Sequence, residues 1–210
     1  LPDSFRFVVV VMTLSLQGKF LVASPYLGDG NFFRSVVLMV KHDEDGAFGL
    51  ILNRPLNNRL SEIWQVIDDE SGGEIRAFHL DQEAPEVGDQ PIYLGGPVQG
   101  PLVAVHSAKK IWAEMQIMPG VHFAAHKEHL KKVITQTKKP FRVFSGYSGW
   151  GAGQLEGELE AGGWLIAEAN KELIFYTGDD LWERIVQDIA DQILTPAQRT
   201  KHVPPDPSLN

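Results

Sequence analysis

Phe144-Ser-Gly-Tyr-Ser-Gly-Trp-Gly-Ala-Gly-Gln-Leu-Glu156 packs four glycines and two large aromatics into the eight residues 146–153. Glycine reaches positive φ and lets another chain or a ligand come close, so such a stretch is built for backbone geometry. It lies between an apparent strand, Phe141–Phe144, and an apparent helix, Gln154–Glu160. Read this way it is a strand-to-helix turn, serving either as a tight structural corner or as a binding loop.

Working outward, short β-branched runs bounded by turn formers predict buried strands at 18–25 and 35–42. The Asp43-Glu-Asp-Gly46 turn leads into Ala47–Asn53, so 35–53 reads as an antiparallel hairpin that Pro55 stops. Leu60, Ile63, Trp64 and Ile67 mark a short helix with Ser61 near its start, and 68–90 reads as an acidic, Gly-rich loop. Gly95-Gly-Pro97 is a sharp bend between strands 91–98 and 101–106, and two further strands flank Pro119-Gly120. Residues 127–138 form a helix with Leu130, Val133 and Ile134 inward, and 164–167 a strand. The last helix, capped by Asp179, carries Leu181, Ile185, Ile189 and Ile193 on one face beside Trp182 and Val186, and ends at Pro196. Strands outnumber helices without regular β-α alternation, which predicts a single α+β domain with a mixed or largely antiparallel sheet and helices outside.

Composition narrows the chemistry. The 210 residues, 43% hydrophobic and 22% charged, suffice for one core. A net charge of -8 disfavours direct nucleic-acid binding, and the absence of cysteine excludes disulfides, thiolate metal sites and cysteine nucleophiles. The apolar run Phe7–Leu14 is too short to span a membrane and lacks a cleavage pattern, so a cytoplasmic protein is expected. Met12 is the first methionine, which suggests an N-terminal extension over 1–13, a domain over 14–195 and a tail over 196–210.

Gly49-Leu-Ile-Leu-Asn-Arg-Pro55, Tyr93-Leu-Gly-Gly-Pro-Val98 and Gly146–Glu156, preceded by Gly18-Lys-Phe-Leu-Val-Ala-Ser-Pro25, together resemble the YqgE/AlgH family of bacterial proteins over roughly 16–194. The resemblance implies one α+β domain with strongly coiled, mixed sheets. It also implies a function not established, although the family often carries the label of transcriptional regulator. It carries over no catalytic residues. The chain departs from the family pattern at Ala152, where proline is usual, and in the long stretch 68–90.

No Lys or Arg follows Val143 before Lys171, and Glu156, Glu158 and Glu160 already occupy the early helix, so the glycine segment reads as a corner rather than a phosphate cradle. Ser148 fails the nucleophile-elbow pattern because Trp150 stands where it needs glycine, leaving a capping hydroxyl. His122, His126 and His129 are a metal candidate by helical spacing, weakened by Pro119-Gly120, and solvated or capping roles are favoured, with no metal or cofactor expected. Arg54 is expected to pair with an acid such as Glu156, and Tyr147, Trp150 and Trp164 to pack in the core. The favoured reading is a non-enzymatic protein acting through protein contacts or a small anionic ligand. Its candidate surface comprises Asn53, Arg54, Gly95, Gly96, Trp150, Gln154 and Glu156. The alternatives are a small-molecule enzyme using Glu156 or a histidine with Arg54 as anion anchor, and a transcriptional regulator.

Overall fold

The computed structural model describes residues 15–61, 90–108 and 110–199, with side chains to 193. Ten strands form one sheet: β1 (Lys19–Ala23), β2 (Val36–Asp43), β3 (Gly46–Ile51), β4 (Pro55–Arg59), β5 (Pro91–Leu94), β6 (Val98–His106), β7 (Met115–Met118), β8 (Val121–Ala124), β9 (Phe141–Gly151) and β10 (Trp164–Glu168). The helices are α1 (Lys127–Gln136), α2 (Gln154–Glu160), α3 (Lys171–Ile174) and α4 (Leu181–Arg199). The sheet runs β10-β1-β2-β3-β9-β6-β8-β7, with β5 branching onto β9 and β4 pairing with β5. Every pairing is antiparallel except β5 with β9, so the expected α+β class with a mixed, mostly antiparallel sheet holds.

The unbroken apolar run Val36–Val40 is buried on both sides, as a central strand covered on each face must be. Val36, Leu38 and Val40 join Phe20 and Val22 in one core, where α4 contributes Leu181, Trp182 and Ile185. Val37 and Met39 join Leu21 in a second core beneath Leu155 of α2. A third core under α1 gathers Leu130, Val133 and Ile134 against Ala104, Ala124 and Val143. Each buried aliphatic side chain contributes about 1.5–3 kcal/mol from apolar burial before entropy is counted. Trp182 adds a directional lock, its Nε1 donating to the Ala23 carbonyl over 2.8 Å.

The glycine segment is not a strand-to-helix turn. It is the second half of β9, an eleven-residue strand that changes partners along its length. Strand β6 pairs with β9 from Phe141 to Tyr147, whereas β5 pairs with Phe144 and Ser145 and β3 with Ser148–Gly151. The switch lies beside Gly146, whose φ of 72° few other residues adopt readily. Here the Gly95-Gly96 bend presses onto β9. A Cβ at Gly95 would lie inside the Gly146 carbonyl oxygen, with Leu50 Cδ2 at 2.9 Å. The Gly95 N–H donates to Ser145 O and its carbonyl accepts from Ile51 N–H, both at 2.9 Å. Bare Cα atoms are therefore what let three backbones meet.

Other expectations need correction. The second hairpin strand ends before Pro55, at Ile51, but Pro55 also begins β4, a sheet-edge position that tolerates a missing donor. Strand β6 starts at Val98 and runs through Pro101, with a register irregularity between Val98 and Leu102 that takes up the proline. The last helix continues past Pro196 to Arg199, proline's fixed φ being compatible with helical backbone. Its first carbonyl belongs to Asp180, which accepts from Arg184 N–H at 3.0 Å, rather than to Asp179. Ile193, expected inside, is 69% exposed, whereas Ile189 still packs on the core. Only Leu60 and Ser61 of the expected 60–67 helix are described, both helical. The loop 68–89, the extension 1–13 and the tail beyond Arg199 lie outside the described residues.

Candidate functional site

The structure distributes the predicted site residues over separate places. Asn53 staples the start of β2: its Oδ1 accepts from Val36 N–H at 2.9 Å and its Nδ2 donates to Arg34 O at 2.8 Å. Arg54 donates to the carbonyls of Asn53 and Phe33, and burial pushes its guanidinium below its ordinary pKa. It does not meet Glu156, so the expected ion pair is corrected. Asn53 borders a cavity of about 130 Å³ with Leu52, Tyr93 and Tyr176. Gly95 and Gly96 are spent on the backbone crossing. Ser148 is fully buried on β9, its Oγ donating to Gly95 O at 3.1 Å, and it caps no helix.

Glu156 belongs to His42 instead. The His42 Nδ1 accepts from Leu16 N–H at 3.0 Å, which leaves its proton on Nε2 to be donated to Glu156 Oε1 at 2.9 Å. Both ring nitrogens are committed, so neither can take a proton from a substrate without breaking a structural bond. His106 is fully buried and similarly bound: Nδ1 accepts from Ala108 N–H at 3.2 Å and Nε2 donates to Trp112 O at 3.0 Å. Burial pushes its pKa down to about 4, against a smaller upward pull from the Trp112 carbonyl, so it is neutral at pH 7.

Trp150 and Gln154 do converge, on a residue that sequence reading had left in a row of helix acids. Glu158 Oε2 accepts from Trp150 Nε1 at 2.9 Å and Trp164 Nε1 at 2.8 Å, while Oε1 accepts from Gln154 Nε2 at 2.9 Å. One turn of α2 brings Gln154 and Glu158 to the same face. Phe32 completes the aromatic group, with ring centroids 6.0 Å from Trp150 and 5.2 Å from Trp164. Trp150 and Trp164 are buried as expected. Above them opens a cleft of about 310 Å³ bordered by Tyr26, Asp29, Phe32, Glu158 and Trp164, with no Lys, Arg or His among the described residues that line it. Tyr26 stands at its rim, 94% exposed. Nothing in the spacing of Glu158 marks it out, because its partners arrive from β9 and β10.

Two further charged centres emerge only in three dimensions. Arg142, buried on β9, donates to Leu52 O at 2.7 Å and to Tyr176 O, and lies 4.5 Å from the Tyr93 ring centroid. The histidine candidate is rearranged: His122 is buried on β8, and Glu114 takes its place beside His126 and His129. Among the described residues no helix is long and apolar enough to cross a membrane.

Comparison with known proteins supports the fold and shows the family. Residues 20–194 match the AlgH-like family, a domain of unknown function. A UPF0301 protein of Chlorobium limicola is 36% identical over 176 residues, covering 81% of this chain and 84% of its own length. The UPF0301 protein Reut_A0705 of Cupriavidus pinatubonensis is 36% identical over 165 residues, covering 77% and 81%. The solution structure of the AlgH protein from Pseudomonas aeruginosa superposes with a TM-score of 0.66 at 25% identity, covering 98% of this chain and all of that one. The crystal structure of DIP2367 from Corynebacterium diphtheriae, at 23% identity and a TM-score of 0.59, shares the fold, covering 81% of this chain and 85% of its own. With a family match over residues 20–194 and relatives above one-third identity, the chain belongs to the AlgH-like family.

Proposed function

We propose that this is a cytoplasmic, non-enzymatic interaction protein whose cleft above Glu158 takes an alkylammonium cation, either a small molecule or a lysine side chain of a partner. One observation carries the reading: three aromatic residues and two carboxylates border a single cleft with no cationic residue among the described residues that line it. Aromatic walls attract organic cations through their ring quadrupoles, and nearby carboxylates add charge complementarity. The cleft volume of about 310 Å³ lies at the small end of ligand pockets. This charge argues for a cationic ligand over the anionic one expected from Arg54.

Several contacts weigh against the enzyme alternative. Glu156 is tied to His42, both nitrogens of His42 and His106 are engaged, and Arg54 is spent on carbonyls. The transcriptional-regulator alternative has the net charge of -8 against it.

Titration of the isotopically labelled chain with tetramethylammonium, and separately with a lysine-rich peptide, tests the reading. The Trp164 indole and Phe32 ring signals shift saturably, and Asp29→Asn, on the rim and outside the indole clamp, weakens binding about 3–10-fold. Whichever arm saturates identifies the source of the cation. Unmoved Trp164 and Phe32 signals in both arms overturn the proposal.

A further inference from the structure

The corner where β7, β8 and α1 meet holds a second cluster, remote in sequence from the cleft. Glu114 precedes β7, and its backbone N–H is pinned to Phe123 O at 3.0 Å. Its carboxylate is anchored by main chain: Oε2 accepts from Ala125 N–H at 2.6 Å and Oε1 from His126 N–H at 3.1 Å. Burial pushes its pKa up, but these amide bonds and His129 outweigh that and hold it below the ordinary carboxylate range. The carboxylate is thus charged and preorganised before anything binds.

Two imidazoles aim at the same oxygen. His126 Nδ1 lies 2.8 Å and His129 Nδ1 2.6 Å from Glu114 Oε1, and the three donor atoms fall within 4.8 Å of one another. The i, i+3 spacing across the first turn of α1 puts both rings on one face. In a tetrahedral zinc site with bonds near 2.1 Å, donors stand about 3.4 Å apart. Side-chain rotation must therefore open the two nitrogen–oxygen separations by only about 0.7 Å. His126 is 77% exposed, so a fourth position faces solvent. The positive end of α1 opposes a cation, and the Glu114 charge offsets it.

We propose that Glu114, His126 and His129 bind a divalent transition-metal ion, with Zn²⁺ the best chemical fit. Imidazole donors select Zn²⁺, Ni²⁺ or Cu²⁺ over Mg²⁺ and Ca²⁺. On binding, the proton that each Nδ1 directs at Glu114 moves to Nε2, freeing the Nδ1 lone pair for the metal.

The test uses the full chain, free of any affinity tag and stripped with chelator, titrated calorimetrically with Zn²⁺ and spectroscopically with Co²⁺. A 1:1 complex forms, Co²⁺ develops the visible bands of tetrahedral coordination, and the His126 and His129 ring signals shift while Mg²⁺ moves neither. His126→Ala and His129→Ala each weaken Zn²⁺ by at least about tenfold. Both keep the metal-free melting temperature within a few degrees, because Glu114 retains its main-chain anchors. Absence of a 1:1 complex, or Zn²⁺ binding undiminished in the double His126→Ala/His129→Ala variant, overturns the proposal.

Discussion

The imidazole of His42 and the carboxylate of Glu156 stand 2.9 Å apart, joining the end of β2 to the first turn of α2, 114 residues later in the chain. Bonds from its own backbone N–H and from His42 hold Glu156 below the ordinary carboxylate range. The stabilisation from this lowered pKa is present above the unfolded value of 4.5 and is lost as pH falls through the folded one. His42→Phe removes both the acceptor for Leu16 N–H and the donor to Glu156, and costs about 2 kcal/mol in urea unfolding. Glu156→Gln keeps an acceptor oxygen, and its carboxylate side chain is 34% exposed, so its cost stays below about 1 kcal/mol. Equal costs for the two variants would contradict a bridge organised around the histidine.

Two glycines give opposite responses to alanine. At Gly95 a Cβ collides with the main chain of Gly146, which no rotamer change relieves, so Gly95→Ala costs more than about 3 kcal/mol or prevents folding. Gly157 lies within α2 with nothing within 4 Å of its added Cβ. Gly157→Ala therefore stabilises the protein by about 0.5–1 kcal/mol through helix propensity and a less flexible unfolded chain. Thermal melts of the two variants decide it, and a neutral Gly95→Ala would refute the backbone crossing.

His106 predicts acid sensitivity. Its folded pKa of about 4 lies below the unfolded value of 6.5, so between these pH values the unfolded chain binds more protons. The stabilisation from keeping the ring neutral is complete above pH 6.5 and drains away as pH falls towards 4. On the order of 2 kcal/mol is lost across that window. His122, whose ring centroid lies 5.6 Å away and whose pKa burial also lowers, pushes the same way. His106→Gln cannot titrate, so its urea midpoint changes less between pH 7 and 4 than that of the parent chain. Parallel pH profiles for the two proteins would sink the assignment.

Local pattern made much of the fold legible. The run Val36–Val40 announces a strand buried on both faces, and Leu130, Val133 and Ile134 announce the inner face of α1. Periodicity reports burial, and burial is what these elements share. It failed at β9, where glycine density suggested a turn. A glycine-rich strand that changes partners has the same local composition as a loop, and only the neighbouring backbones distinguish them. At the site, Trp150 and Gln154 were singled out but Glu158 was not, because one carboxylate in a row of three looks like helix-end charge until two indoles reach it. Arg54 and Glu156 are complementary in charge along the sequence, but in the fold each has a nearer partner.

The α+β class, most of the strand and helix positions and the family motifs follow from apolar spacing and turn chemistry within a few residues. Tertiary structure decided which polar groups meet: His42 with Glu156, two indoles with Glu158, and two imidazoles with Glu114. The physical reason is range. Hydrophobic periodicity is written along the chain, whereas a hydrogen bond at 2.9 Å depends on the coiling of a ten-stranded sheet whose strands come from distant parts of the chain.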